Sequence, residues 1–346
     1  MDFVPSSAAT PELTVVIKAL NEAEKIGACI RSVLAVTDPA TTEIIVADSL
    51  SEDATVAIAA QFPVRVVQLA RREDRGCGTA AQLGFQHARG KRLLLLDGDM
   101  ELDPEFLPAA ARALDADPSL AGVGGLVIDR VMTLEFQRRA AAASPSLKPG
   151  YHKHLAGGGL FRMDAVRRSG YFADRNLHAY EELELGTRLS AEGWRLLRLD
   201  LPAVHHHGHA MPAARLLWHR WRTRYVLGQG ELMRAVWGTD RRWRVARGAL
   251  YNFVAIAWWI AVLAGLANLI FRDTSWPAAA LLLLILVAPI VIQSVRKRSL
   301  TMGVYSAALI NLHGLGFVVG LSRPRIDPTT PIASVVLHEP EKATGR

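Results

Sequence analysis

Two aspartates with one glycine between them, Asp97-Gly98-Asp99, follow four consecutive leucines, Leu93 to Leu96. At the end of a buried strand this pattern predicts both carboxylates on the same side of the extended chain, with a side-chain-free residue between them to admit a ligand closely. Two unpaired carboxylates repel, and a divalent cation resolves the repulsion. A hard cation with few protein ligands commonly completes its shell with substrate phosphates. The sequence has no GxxxxGKS/T and no GxGxxG after its first apolar run, which excludes a P-loop and a dinucleotide fold. A diphosphate bound through a metal is what remains.

Other residues of chemically active types come in groups. Glu181, Glu182 and Glu184 open the segment EELELGTRLSAEGW, where Leu183, Leu185 and Leu189 have helical spacing; acidic residues in a first turn are favoured by the helix macrodipole. Gly157, Gly158 and Gly159 precede Leu160 and Phe161, and by themselves read as a turn. His205, His206 and His207 follow the short apolar run LDLPAV. Consecutive residues of a strand face opposite ways, so at most two of these three can face one cation. Cys29 and Cys77 lack zinc or redox spacing and read as two ordinary thiols in a reducing compartment.

The elements that must position these groups alternate. Leu13–Ala19, 43–47, 64–69 and 92–96 are apolar runs of strand length, and 22–36, 53–61 and 79–88 between them read as helices. Such alternation implies parallel strands covered by helices on both faces. Ligands of these sheets bind beyond the carboxyl ends of the strands. The residues found there are polar: Asn21 and Glu22; Asp48, Ser49 and Ser51; Arg71 to Asp74; Asp97 and Asp99. Ser51 and Asp53 read as helix caps.

Toward the C-terminus, 248–271, 274–295 and 300–322 carry no Asp, Glu, Lys or Arg and a single histidine, His313, each about the length of a bilayer-crossing helix. Asn311, His313 and several glycines leave 300–322 open between a span and a re-entrant or interfacial segment. Arg241, Arg242, Arg244 and Arg247 precede the first window and Arg296, Lys297 and Arg298 follow the second, with Arg272 between. By the positive-inside rule the N-terminal part faces the cytoplasm. The net charge of +7 therefore reads as contact with anionic lipid headgroups, and nucleic acid is not expected as a partner.

Taken in order, TVVIKALNEAEKI, EIIVADSLSEDAT, LLLLDGDMELDPEF, GGGLFRMDAVRRSGYF and EELELGTRLSAEGW resemble the family 2 inverting glycosyltransferases with the GT-A fold, over roughly 13–209. The resemblance implies an α/β, Rossmann-like, mainly parallel sheet with helices on both faces, plus C-terminal transmembrane helices. It implies that Asn21, Glu22 and Asp48 hold the nucleotide, with Asp97, and that Asp97 and Asp99 hold Mg2+ or Mn2+ at the diphosphate, with His205 or His207 near it. Glu182 falls at the catalytic base, with Glu181 the alternative, since this chain has glutamate where the family has aspartate. Gly158, Gly159 and Arg188 would line the substrates.

The implied organisation is a leader (1–12), a glycosyltransferase domain (13–210), amphipathic interfacial helices (211–247), a membrane domain of two or three transmembrane helices (248–322) and a tail (323–346). The implied function is inverting transfer from a nucleotide-sugar donor, most often a UDP-sugar, to a lipid-linked or glycan acceptor at the inner membrane, in polysaccharide or glycolipid biosynthesis. The alternatives are a polyprenyl-phosphate glycosyltransferase and a catalytically inactive, membrane-anchored scaffold subunit.

Overall fold

The computed structural model describes residues 10–130, 148–155, 157–208, 211–272 and 275–340. Residues 1–9 of the expected leader and 341–346 of the expected tail lie outside them. The chain divides into two units, Met1–Ala210 with Arg325–Arg346, and Met211–Pro324.

In the first unit β1 (Leu13–Ala19), β2 (Thr42–Asp48), β3 (Arg65–Leu69) and β4 (Arg92–Asp97) run parallel in the order β3-β2-β1-β4. The helices α1 (Ile26–Leu34), α2 (Thr55–Ala59) and α3 (Cys77–His87) connect them. Alternate residues of each strand feed two cores. Val15, Ile17, Val46 and Leu94 pack with Ile26, Ile30 and Val33 on one face, while Val16, Ile45, Val67 and Leu95 pack with Ala81 and Leu83 on the other. This is why the strands read as continuous apolar runs: both faces are covered. Val15, Val16 and Ile17 are 0% exposed, and burying each contributes about 1.5–3 kcal/mol.

The second half of this unit makes the sheet mixed. It supplies β5 (Met100–Leu102), α4 (Phe106–Ala116), β6 (Leu120–Asp129), β7 (Gly150–His152), β8 (Gly159–Arg162), α5 (Met163–Arg168), α6 (Glu181–Ala191) and β9 (Arg195–His206). β8 lies antiparallel between β4 and β6, and β9 runs parallel to β6 and antiparallel to β5 and β7.

The segment after 324, expected only as a tail, closes the opposite edge: β10 (Ser334–His338) pairs antiparallel with β3. The approach to it is fixed by the Arg325 guanidinium on Asp174 (2.8 Å), by Asn176 bonded to both the N–H and the C=O of Ile326, and by Gln86 bonded in the same way to Ile332.

The second unit begins with the short helices α7 (Ala213–Arg222), α8 (Gly228–Ala235) and α9 (Arg242–Gly248), followed by α10 (Leu250–Phe271), α11 (Trp276–Lys297) and α12 (Leu300–Ser322). The last three are long and apolar enough to cross a membrane, with mean hydropathies of 2.2, 2.6 and 1.6. α10 and α11 pack together. Pro289 lies inside α11 and has no N–H for the carbonyl four residues back, Ile285; the indole N–H of Trp258 in α10 donates to that carbonyl at 2.7 Å.

Candidate active site

The chemistry-bearing residues gather where β1, β4 and β9 end and α6 begins. Lys18, next to last in β1, is in register with Asp97 at the end of β4. Its ammonium lies 2.8 Å from Asp97 Oδ1 and 3.2 Å from Glu181 Oε1, on the first turn of α6. Burial alone would lower its pKa, but Asp97 and Glu181 outweigh burial and hold it well above the ordinary value. A lysine inside an apolar strand was the sequence signal for this bridge.

The Asp-Gly-Asp motif is not extended. Gly98 and Asp99 form a turn between β4 and β5, with Asp97 Oδ1 2.8 Å from Lys18 Nζ and Asp99 Oδ2 3.2 Å from His206 Nε2. The space over Gly98 faces Glu22, whose Cγ lies 3.2 Å from where a Cβ would stand. Burial, reinforced by Asp99 and opposed by Lys25, pushes the Glu22 carboxyl up to about 7.

The histidines depart from expectation. His206, in register with Met100 and Asp129, is the one that meets Asp99, and its other nitrogen lies 2.7 Å from Asp129 Oδ1. These carboxylates override the effect of burial and raise its pKa to about 9. His205 pairs with Asp103 (3.2 Å) and His207 with Glu101 (2.8 Å). Alternation along the strand sends both away from the side chain that meets Asp99.

Glu182 is held by the backbone. Gly157 and Gly158 donate their N–H groups to its Oε1, at 3.1 and 3.2 Å. Both glycines have left-handed backbone, φ +82° and +87°, and a Cβ on Gly158 would stand 2.2 Å from the Leu95 carbonyl oxygen, so only glycine fits there. Gly159 continues into β8 opposite Leu95. A small pocket beside Glu181 and Glu182 is walled by Leu95, Leu155, Phe161 and Phe172. Burial, with Glu181 close by, raises the Glu182 carboxyl to about 7, against the opposing pull of Lys18.

Arg188 does not join the site. It is buried, pairs with Glu184 one turn earlier at 3.0 Å, and donates to the carbonyls of Ser169, Tyr171 and Phe172. The four-residue spacing of Glu184 and Arg188 is that of a helical ion pair, and the buried face of α6 turns it into a clamp on the preceding loop.

Asp48 is fully buried, and both of its oxygens already accept bonds, from the N–H and hydroxyl of Ser51 and from Gln68 Nε2. It therefore shapes the loop after β2. Asn21, with φ +57°, accepts from the Glu52 N–H at 2.7 Å, and the Glu22 N–H donates to Thr55; these bonds tie the loop after β1 to the loop after β2. Gln68 and Lys18 are the residues of this region that reasoning from sequence passed over, and His206 stands where His205 or His207 was expected.

Carboxylates outnumber cations here: Glu22, Asp97, Asp99, Glu181 and Glu182 face Lys18, Lys25 and His206. This charge set fits a divalent cation. No three metal-ligating side chains converge among the described residues, so the chain offers a pair of carboxylates and leaves the remaining coordination positions to phosphate oxygens and water.

Residues 14–170 match the family described as Glycosyl transferase family 2. The chain is 35% identical over 125 residues to the succinoglycan biosynthesis protein ExoO of Rhizobium meliloti, covering 35% of this chain and 35% of that protein. It is 28% identical over 125 residues to a dolichol-phosphate mannosyltransferase of Mycosarcoma maydis, covering 33% of this chain and 42% of that one. The match thus spans less than half the length of either relative. Among solved structures, the mannosyltransferase PcManGT from Pyrobaculum calidifontis, in complex with GDP-Man and Mn2+, superposes with a TM-score of 0.57 at 23% identity, over 90% of each chain; that likeness speaks to the fold.

Proposed function

Since the chain carries a glycosyl transferase family 2 domain over residues 14–170, we propose that it transfers a sugar, with inversion, from a nucleotide diphosphate donor to a membrane-associated saccharide acceptor. The observation that carries this reading is Glu182: a carboxylate fixed by two glycine amides, with its pKa raised to about 7, one residue from the carboxylate that Lys18 links to Asp97. A positioned carboxylate titrating near neutrality suits a general base.

Glu182 takes the proton of the acceptor hydroxyl as that oxygen attacks the anomeric carbon opposite the departing diphosphate. Its Oε1 accepts both amides, so Oε2 receives the proton. Glu181, tied to Lys18 at 3.2 Å, serves instead to hold Lys18 between the two halves of the site. Asp97 and Asp99 would hold Mg2+ or Mn2+, which when bound neutralises the leaving nucleoside diphosphate as a Lewis acid. Glu22, over Gly98, and the loop carrying Asn21 stand at the nucleotide side of the sheet, where a UDP-sugar is the first donor to test. Gly158 and Gly159 line the sugar.

The apolar helices of the second unit are the reason for a membrane acceptor: an inner-membrane anchor keeps the site near the headgroups where a lipid-linked saccharide lies. A second reading, transfer onto polyprenyl phosphate itself, is favoured by the name of the dolichol-phosphate relative.

The test is nucleoside diphosphate release from a panel of nucleotide sugars by detergent-solubilised protein with Mn2+ or Mg2+, with and without lipid extract. Asp99→Ala and Glu182→Gln are assayed alongside. Lipid-stimulated release with one donor, lost in both variants, is expected; metal-dependent donor binding with no turnover under any condition would instead make the chain an inactive scaffold. Stimulation by polyprenyl phosphate alone, without a saccharide, selects the second reading.

A further inference from the structure

We infer that the chain crosses the bilayer twice, through α10 and α11, and that α12 lies along the membrane face on the catalytic side. The inference deepens the reading above and rests on its premise that the apolar helices enter a bilayer.

The argument is one of parity. The chain leaves the first unit at Ala210 and re-enters it at Arg325. What re-enters is bound throughout: Arg325 to Asp174, Ile326 to Asn176, Ile332 to Gln86, and β10 to β3. A unit on one side of a membrane cannot hold a strand delivered to the other side, so the number of crossings between 210 and 325 is even. Among the described residues three helices have the length to cross; three crossings are forbidden.

The helix that does not cross is identified by its surroundings. α12 has the lowest mean hydropathy of the three, 1.6, and 33% of its apolar window is buried within the protein, against 11% for each of the others. Its first turn meets the last turn of α11, with Gly303 against Ser294, and Gly314 meets Ala255 in the second turn of α10. The rings of Phe317 and Phe253 are 5.3 Å apart. The end of α11 and the start of α10 form the same end of that hairpin.

Between Gly303 and Gly314 a helix advances about 16 Å. Had α12 recrossed beside α11, Gly314 would lie level with Leu282, which packs against Gly265 in α10; it meets Ala255 instead. The last turns of α12 pack on α8 rather than lipid: a Cβ on Gly230 would stand 2.0 Å from the Phe317 carbonyl oxygen, and one on Gly320 would stand 2.3 Å from that of Leu227. α8 carries Glu231, 3.6 Å from Arg323 just beyond α12, and such a charged helix has no place in hydrocarbon.

Charge agrees with this arrangement. With two crossings, Arg241 to Arg247, Arg296 to Arg298, Arg323 and Arg325 all share the catalytic side, and Arg272 alone of these basic residues lies opposite. The exposed Val304, Leu315 and Val318 of α12 then enter the headgroup and acyl boundary, as in a helix lying in the interface.

The full-length protein in sealed membrane vesicles tests this, with Cys29→Ser and Cys77→Ser as background and single cysteines at Arg272→Cys, Arg298→Cys and Thr329→Cys. A membrane-impermeant maleimide should label Arg298→Cys and Thr329→Cys from the same side, and Arg272→Cys from the opposite side, each protected on the other side until detergent is added. Labelling of Thr329→Cys opposite Arg298→Cys would overturn the inference, as would labelling of all three from one side. Release of the protein by alkaline carbonate would remove the membrane premise itself, whereas nucleoside diphosphate release from the same vesicles reports separately on the transferase reading.

Discussion

Lys18 and Glu182 show how one cation and two backbone amides tune a carboxylate. Burial, followed by Glu181, lifts Glu182 from 4.5 to about 7, while Lys18 opposes the rise. The base form is therefore lost as pH falls through 7, and kcat should decline about tenfold per unit below that point, measured as nucleoside diphosphate release. Glu182→Gln should cost about a hundred- to ten-thousandfold in kcat with the donor KM little changed, as expected for removal of a general base. Lys18→Met removes the opposing cation, so the acid limb of the profile should move to higher pH; an unmoved limb would show that another group governs it. At this scale the sequence was informative about residue types and less so about partners. Lysine in an apolar run and the pair Glu184 and Arg188 were visible signals, but which of three histidines meets Asp99 depends on the register of β9 against β5, a long-range pairing that no local pattern encodes.

Among the elements, the hairpin of α10 and α11 carries its own repair of a helix defect. Pro289 leaves the Ile285 carbonyl without its helical donor, and Trp258 supplies one. Trp258→Phe should destabilise the membrane unit by about 1 kcal/mol, in line with interhelical hydrogen bonds in lipid. In a Pro289→Ala background, where the helical N–H is restored, the same substitution should cost less, a difference that thermal unfolding in detergent across the four-variant cycle reads directly. The four parallel strands of the first half were legible because each is covered on both faces and so is apolar throughout. β5 and β7 were not, since three-residue strands carry no period, and the turn at Gly98 was hidden because an aspartate pair looks the same whether the chain is extended or folded back.

For the whole molecule, the segment from Arg325 onward returns the chain to its first unit. Arg325→Ala leaves Asp174, 0% exposed, without its guanidinium, at a cost of about 2 kcal/mol, and should lower the Tm by roughly 4–8 °C in calorimetry. This closure could not be foreseen from sequence: SVVLH is short, and its partner Arg65–Leu69 lies on the far side of three apolar helices. It has a consequence for biogenesis. As a ribosome makes this chain, β3 (Arg65–Leu69) emerges with one hydrogen-bonding edge open, and the strand that covers it (Ser334–His338) follows only after the whole second unit has been made. At cellular elongation rates that interval is on the order of tens of seconds, during which an unpaired strand invites pairing with other nascent chains. An open edge of this kind is exposed to mispairing until β10 arrives to cover it.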